Sequence, residues 1–351
     1  MTDRSLTPQG HARGQERSLT PEGHGRGLER SLTPDGAQPV PGSEARLVVA
    51  RPGMLTTVQD LGRVGYQGLG VPVSGPMDVY SHRLANQLLG NHAMAAALEI
   101  TLLGPELVAD GDLTCAIAGA EIEVTVDGTA VARDRPFRVA SGSRIRCGAR
   151  GKGARLTLAV QGGFDLPATL GSRSTHLVSR MGPFGGRALR AGDALPIGSR
   201  GATGSRGSGS PLELPDGGAS LRVVPAAHRE RFTDDAWGLL VRARYTVSPQ
   251  SNRMGYRLDG PALTHVGAAD ILSEAMPIGA LQVPASGQPI LLMAERQTTG
   301  GYATIANVIT ADLPVAGQLA PGDWIAFTPV THAEAIAALR AQAAALSGAI
   351  H

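Results

Sequence analysis

Four short stretches of the chain gather side chains able to hold a small polar molecule. Arg296-Gln297-Thr298-Thr299-Gly300-Gly301-Tyr302 follows the apolar run 289–294 after only Glu295, and a second apolar run, 303–309, comes next. Such runs read as buried strands, so the guanidinium, amide and hydroxyl groups between them must be paired or face a cleft. The stretch 248–258 adds Ser251, Arg253 and Arg257. Two arginines four apart, beside a hydroxyl and the Asn252 amide, suit a planar anion such as a carboxylate, carboxyphosphate or carbamate. Glu274 and Gln282 lie beside apolar stretches in 271–289. Apolar neighbours would raise the Glu274 carboxyl toward neutrality and make it the best single general base, whereas an ion pair with an arginine would do the reverse. The fourth stretch, 56–78, sets Gln59, Asp60, Arg63, Ser74 and Asp78 among five glycines, which let backbone N–H groups approach a ligand. A run of tight turns with an Asp–Arg surface pair is the plainer reading of 56–78, and a solvated strand edge that of 248–258.

Composition narrows the chemistry. Lys152 is the single lysine, in the Gly/Arg-rich turn 148–155, so no phosphate-binding loop of the G-x-x-x-x-G-K-[ST] type can be written and a Schiff base has one unpromising candidate. The net charge is +2, basic residues are spread along the chain and aromatics make up 3%, which argues against nucleic acid. Cys115 and Cys147 lie in strand-like stretches without C-x-x-C or H-x-E spacing, so no metal site is expected. No apolar stretch reaches 18 residues and no signal-peptide pattern opens the chain, so the expectation is a soluble, cytoplasmic protein without membrane contact.

These residues need elements to hold them. At 351 residues, with 47 Gly, 24 Pro and 42% hydrophobic residues, the chain suits many short strands around aliphatic cores. Residues 1–43 repeat an Arg-Ser-Leu-Thr-Pro unit at a 13-residue period, too short to stack, and are expected to be a disordered extension. A Gly/Ser-rich linker, 199–218, divides an N-terminal domain, 44–198, from a C-terminal domain, 219–351. Alternating runs around Asp127-Gly128 predict a hairpin with a type I′ turn, and 280–295 repeats that logic around Ser286-Gly287. Helices are expected over 75–90, 233–243 and 331–348, the last with Thr331 and Glu334 in capping-box spacing. The halves echo each other: 62–78 resembles 252–263, and Leu156–Phe164 resembles Leu291–Tyr302, so the shared Gly-Gly-aromatic reads as a structural turn and the inserted Thr298-Thr299 as the place of function.

The order and wording of these motifs, TTVQDLGRVGYQGLGVPVSGPMD, ANQLLGN, ALEITLLGPEL, LAVQGGF, LGSRST, SNRMGYRL, GALQVPASGQPI and ERQTTGGYATIANVITADL, resemble the family of the 5-oxoprolinase C subunit (PxpC). That family includes KipA, the allophanate hydrolase subunit 2-like proteins and the carboxyltransferase domain of urea carboxylase. The resemblance runs from Gly53 to Phe327. It implies a mainly β chain of two tandem cyclophilin-like β-barrel domains with a few short helices. It also implies work beside a KipI-like B subunit, with a LamB/YcsF-type A subunit, to open 5-oxo-L-proline to L-glutamate with ATP that another chain binds. Two other readings stay open: carboxyl transfer from carboxybiotin on a separate carrier to an amide-like substrate, and a KipA-like regulator of a KipI-type kinase inhibitor. For the oxoprolinase, Arg253 and Arg257 would bind a carboxylate or phosphorylated intermediate. Gln297, Thr298 and Thr299 would orient the amide, and Glu274 or Asp60 would move a proton.

Overall fold

A computed structural model describes residues 45–198 and 209–348. The repeat-bearing extension, and residues 199–208 of the expected linker, lie outside the described residues.

Eleven strands occupy the N-terminal half: β1 (Arg46–Arg51), β2 (Leu55–Gln59), β3 (Ala97–Thr101), β4 (Glu106–Asp110), β5 (Leu113–Gly119), β6 (Ile122–Val126), β7 (Thr129–Ala130), β8 (Pro136–Val139), β9 (Arg144–Arg150), β10 (Arg155–Val160) and β11 (Ala194–Pro196). They form a six-stranded sheet, β11-β1-β4-β9-β6-β7, and a five-stranded sheet, β2-β3-β10-β5-β8. Leu47, Leu107, Ile145, Ile117 and Leu158 meet in the core between them. Every residue of β3 and β10 is buried, because helix α1 (Val79–Leu88) covers the outer face of the second sheet with Leu84 and Leu88 against Ala116, Ala118 and Ala159. At Asp127 and Gly128, φ values of 49° and 84° give the two left-handed residues that a type I′ turn requires.

The C-terminal half is a closed barrel. Its strands are β12 (Gly218–Pro225), β13 (Arg244–Val247), β14 (Gly255–Asp259), β16 (Ala280–Gln282), β17 (Ile290–Leu292), β19 (Thr304–Val308) and β20 (Trp324–Pro329); β15 (Asp270–Ala275) and β18 (Thr299–Tyr302) pair separately as a ribbon. Closure by hydrogen bonding is thus seen in one half only. The edge strands β2, β7, β8 and β11 of the N-terminal half, of 5, 2, 4 and 3 residues, do not pair across the two sheets, which meet instead through side chains. Helices α2 (Asp234–Arg242), capped by Thr233, and α4 (His332–Ser347), with both bonds of the Thr331–Glu334 capping box, stand where the sequence places them. The short helix α3 (Leu313–Gly317) has no sequence signal beyond Pro314 in its first turn.

A buried polar seam joins the halves. Arg155 donates to the Tyr256 hydroxyl at 2.9 Å and to the carbonyls of Gly317 and Leu319. The Gln318 side chain accepts from the backbone N–H groups of Ala154 and Arg155, both at 2.9 Å, and donates to Asp78 at 2.6 Å. Burial raises the Asp78 carboxyl above its ordinary range, against the hydrogen bonds from Ser81 and Gln318. A Cβ at Gly317 would collide with the Met77 carbonyl, so only glycine permits this approach.

Candidate functional site

Three of the four sequence stretches meet in one place. The rim of β14 and the segment after β17 enclose a cleft of about 390 Å³ lined by Gln250, Asn252, Arg257, Gln282, Gln297 and Tyr302, with Gly300 and Gly301 on its wall. Antiparallel pairing of β14 with β17, and of β17 with β16, brings these residues together across a long stretch of sequence. Gln297 Nε2 donates to Gln282 Oε1 at 3.0 Å, and Gln282 Nε2 points at the Met276 sulfur at 3.1 Å. A Cβ on Gly300 would lie 2.5 Å from Gln282 Nε2, so the missing side chain makes room for that amide. Arg257 and Tyr302 are exposed at the mouth. The lining therefore offers a guanidinium, four amides counting Asn252 and Gln250, and a phenol, and it includes no carboxylate. Such a set has the donors and acceptors to match a small polar molecule with a negative end and a planar amide.

The remaining candidates of the C-terminal half are engaged elsewhere. Arg253, three per cent exposed, is paired with Glu99 and with Glu295 at 2.7 Å, and donates to the Gly75 carbonyl at 2.6 Å. Burial opposes its charge, but the two carboxylates outweigh that and raise its pKa. This arginine is fully used in joining the halves, and of the two arginines only Arg257 lines the cleft. Ser251 accepts the Arg257 N–H at 3.1 Å and shapes the turn before β14. Arg296 donates from Nε to the Met276 carbonyl at 2.9 Å, and burial lowers its pKa. Its guanidinium has no carboxylate partner among the described residues. The Thr298 carbonyl accepts the Met276 N–H at 3.0 Å and Thr299 opens β18 on the surface. Glu274 lies opposite Gly300 in the β15–β18 ribbon with its carboxylate 3.6 Å from His228 Nε2, outside the cleft lining.

Asp60, Arg63 and Ser74 stand in a separate buried cluster of the N-terminal half. Asp60 accepts from the Gly62 N–H (2.9 Å), the Ser172 hydroxyl (2.6 Å), the Ser174 hydroxyl (2.7 Å) and the Arg173 N–H (2.6 Å), bonds that hold the 172–174 turn, and it is not among the residues that line the cleft. Ser74, at φ 62°, donates to the Thr175 carbonyl at 2.7 Å. Arg63 donates to the Ser174 carbonyl, and burial lowers its pKa against the pull of Asp60 and Glu295. The plainer sequence reading of an Asp–Arg surface pair fails here, since both side chains are buried. Three buried polar atoms of this cluster have no protein partner: Gln59 Oε1, Arg63 Nη1 and His176 Nε2. Each unmet group costs about 1–3 kcal/mol. His176 was not legible as a site residue, because only its proximity to Gln59 and Arg63 in the fold singles it out.

Comparisons place these features in a family. Residues 69–329 match the carboxyltransferase domain family, subdomain A and B. The chain is 39% identical over 298 residues to the 5-oxoprolinase C subunit of Escherichia coli (strain K12), covering 84% of this chain and 95% of that one. It is 38% identical to the 5-oxoprolinase C subunit of Haemophilus influenzae, over 80% of this chain and 89% of that one. The crystal structure of Kluyveromyces lactis urea carboxylase superposes with a TM-score of 0.83 at 30% identity, over 87% of this chain and 29% of the larger protein.

Proposed function

Since the chain belongs to the carboxyltransferase domain family, subdomain A and B, and matches nearly the whole length of relatives named as the 5-oxoprolinase C subunit, we propose that it is the C subunit of an ATP-dependent 5-oxoprolinase. Its complex adds water across the ring amide of 5-oxo-L-proline to give L-glutamate, with ATP hydrolysed alongside, and contains a KipI-like B subunit, together with a LamB/YcsF-like A subunit. The observation that carries the reading is the cleft, whose lining suits this substrate. Arg257 pairs with the carboxylate, which its forked donors match. Gln297 Oε1, left free when its amide nitrogen donates to Gln282, accepts the ring N–H. Asn252 and Tyr302 donate toward the ring carbonyl and hold it for attack.

No carboxylate lines the cleft and the sequence has no lysine phosphate loop, so activation by ATP and proton transfer are assigned to groups brought by the partners, or to Glu274 at the ribbon edge. Complexes reconstituted with both partners are expected to release glutamate from 5-oxoproline only with ATP. Arg257→Met should raise KM by about tenfold, the worth of one charged contact. A well-folded complex without ATP-dependent turnover overturns the assignment. The likeness to urea carboxylase supports a second reading, carboxyl transfer from carboxybiotin to an amide-like substrate. Avidin-sensitive activity with a biotinylated carrier would select it.

A further inference from the structure

A second cavity, of about 290 Å³, opens on the N-terminal half and shares no residue with the cleft. Arg180, Arg187 and Arg190 line it together with Leu177 and Ala188, with Gly185 and Gly186 between them, and no acidic residue does.

Two turns bring these arginines to one place. From Gly182 to Gly186 the chain makes a left-handed turn, with φ of 56°, 69° and 67° at Phe184, Gly185 and Gly186, and the Gly186 N–H returns to the Gly182 carbonyl at 3.1 Å. A Cβ at Gly186 would collide with the Arg180 backbone, so this turn lies directly on Arg180, which is itself left-handed at φ 51°. Such a conformation costs a residue with a side chain about 1–2 kcal/mol, and the chain accepts it at both Arg180 and Phe184. The second turn, 190–193, is closed by the Asp193 N–H to the Arg190 carbonyl at 3.1 Å and by the Arg190 N–H to the Asp193 carboxylate at 2.7 Å. The stretch is fastened to the sheets by the Leu189 N–H on the Thr56 carbonyl and by the Val49 N–H on the Asp193 carbonyl, both at 2.9 Å. The backbone around the cavity is thus fixed by the fold alone.

Charge in the cavity is not balanced. Arg187 is occupied: it pairs with Asp193 through two bonds of 2.6 and 2.8 Å and stacks on Phe184 at 5.4 Å. The side chains of Arg180 and Arg190 have no carboxylate partner among the described residues. The Glu295 carboxylate, which accepts the Leu177 N–H at 3.3 Å, is already paired with Arg253. Two free guanidinium forks on one cavity match a dianion, because each fork takes a pair of oxygens and a phosphate group offers three. A carboxylate has one charge and one pair of oxygens, enough for a single fork. Leu177 and Ala188 add an apolar wall, which suits the organic part of a small ester. We propose that this cavity is an anion site of the chain, for a phosphate group, free or at the end of a small monoester, held between Arg180 and Arg190. The site is independent of the reaction assigned to the C-terminal cleft.

The test is calorimetric titration of the full chain at neutral pH and constant ionic strength with sodium phosphate, phenyl phosphate and sodium acetate. The phosphates should bind saturably at one site, and acetate at least about tenfold more weakly. Arg180→Gln and Arg190→Gln should each weaken phosphate binding by roughly tenfold, the worth of one charged hydrogen bond, without a change in Tm, since both side chains are exposed. Arg257→Met, in the cleft, and Arg138→Gln, on the exposed face of β8, should leave it unchanged. Tighter binding of phenyl phosphate would identify an ester as the ligand and tighter binding of phosphate the free ion, and either supports the site. No saturable binding of either phosphate, equal binding of acetate, or the same loss in Arg138→Gln as in Arg180→Gln would show a merely solvated charged surface and would overturn the proposal. Loss of phosphate binding in Arg257→Met would place the anion in the cleft and overturn it as well. Should Arg180→Gln fail to fold, Arg190→Gln decides alone.

Discussion

Two segments of nearly the same sequence end a buried strand in Gly-Gly-aromatic and do opposite things. In 161–164, after β10, Gly162 and Gly163 take φ of 96° and 69°, the chain turns back at once, and Phe164 is buried in the core. In 296–302, after β17, neither glycine is left-handed. Gly300 and Gly301 run extended in β18 against β15, and Tyr302 stands 41% exposed at the cleft. The expectation that the shared glycines make the same turn is therefore corrected. The reason is the partner: Asn91 clasps the first segment by donating to the Val160 carbonyl at 2.8 Å and accepting the Gly162 N–H at 2.9 Å, whereas the second finds the ribbon strand β15 beside it. Glycine at 162 supplies conformation and glycine at 300 supplies space. One sequence pattern closes a core and, displaced by two threonines, opens a site.

The largest effect that bears on this contrast is expected at Arg253, whose partner Glu295 immediately precedes the second segment. Arg253→Met leaves Glu99 and Glu295 buried without a counter-charge, at a cost of about 3–5 kcal/mol. Urea denaturation should show it; an unchanged midpoint would mean that the seam is dispensable. Acid should act on the first segment. His82 is held down to about 4 by burial, and its Nε2 faces the Asn86 amide nitrogen at 3.3 Å, while the Asn86 amide oxygen accepts from Asn91 Nδ2 at 2.9 Å. A histidine depressed from 6.5 contributes stability above that value and loses it as the pH falls through the folded value. Up to about 3 kcal/mol should therefore disappear between pH 6.5 and about 4. Hydrogen exchange should quicken at Gly162 and Gly163 and not at Gly300 and Gly301, and His82→Gln should flatten the profile.

Alanine at the paired glycines separates conformation from space. Gly163→Ala, at φ 69° and with a Cβ 3.1 Å from that of Ala95, should cost about 1 kcal/mol or more and leave 5-oxoproline binding alone. Gly300→Ala should displace the Gln282 amide and weaken binding by roughly tenfold at little cost in stability. Calorimetric titration with thermal melts reads both, and equal behaviour of the two variants would erase the contrast. The smallest change is expected from Gln297→Leu, a severalfold rise in KM with no shift in Tm, against none for Gln161→Leu.

What the sequence determined by itself was local or carried by long motifs. The Asp127-Gly128 turn, the Thr331–Glu334 cap and the helices over 233–243 and 331–348 follow from adjacent residues whose backbone preferences need no distant partner. Family membership and the β-rich class followed from motifs spread along the chain. The tertiary structure decided how polar side chains are spent. Arg253 and Arg257 stand four apart in one motif, yet Arg253 lies in the turn before β14, where the approach of Glu99 and Glu295 buries it in an ion triad, while Arg257, within β14, is left at the cleft. Asp60 and Arg63 read as a surface pair until the turn at 172–174, more than 100 residues away, closes over them. A side chain's chemistry is written in its type, but whether it is free to act depends on partners that only long-range strand pairing supplies.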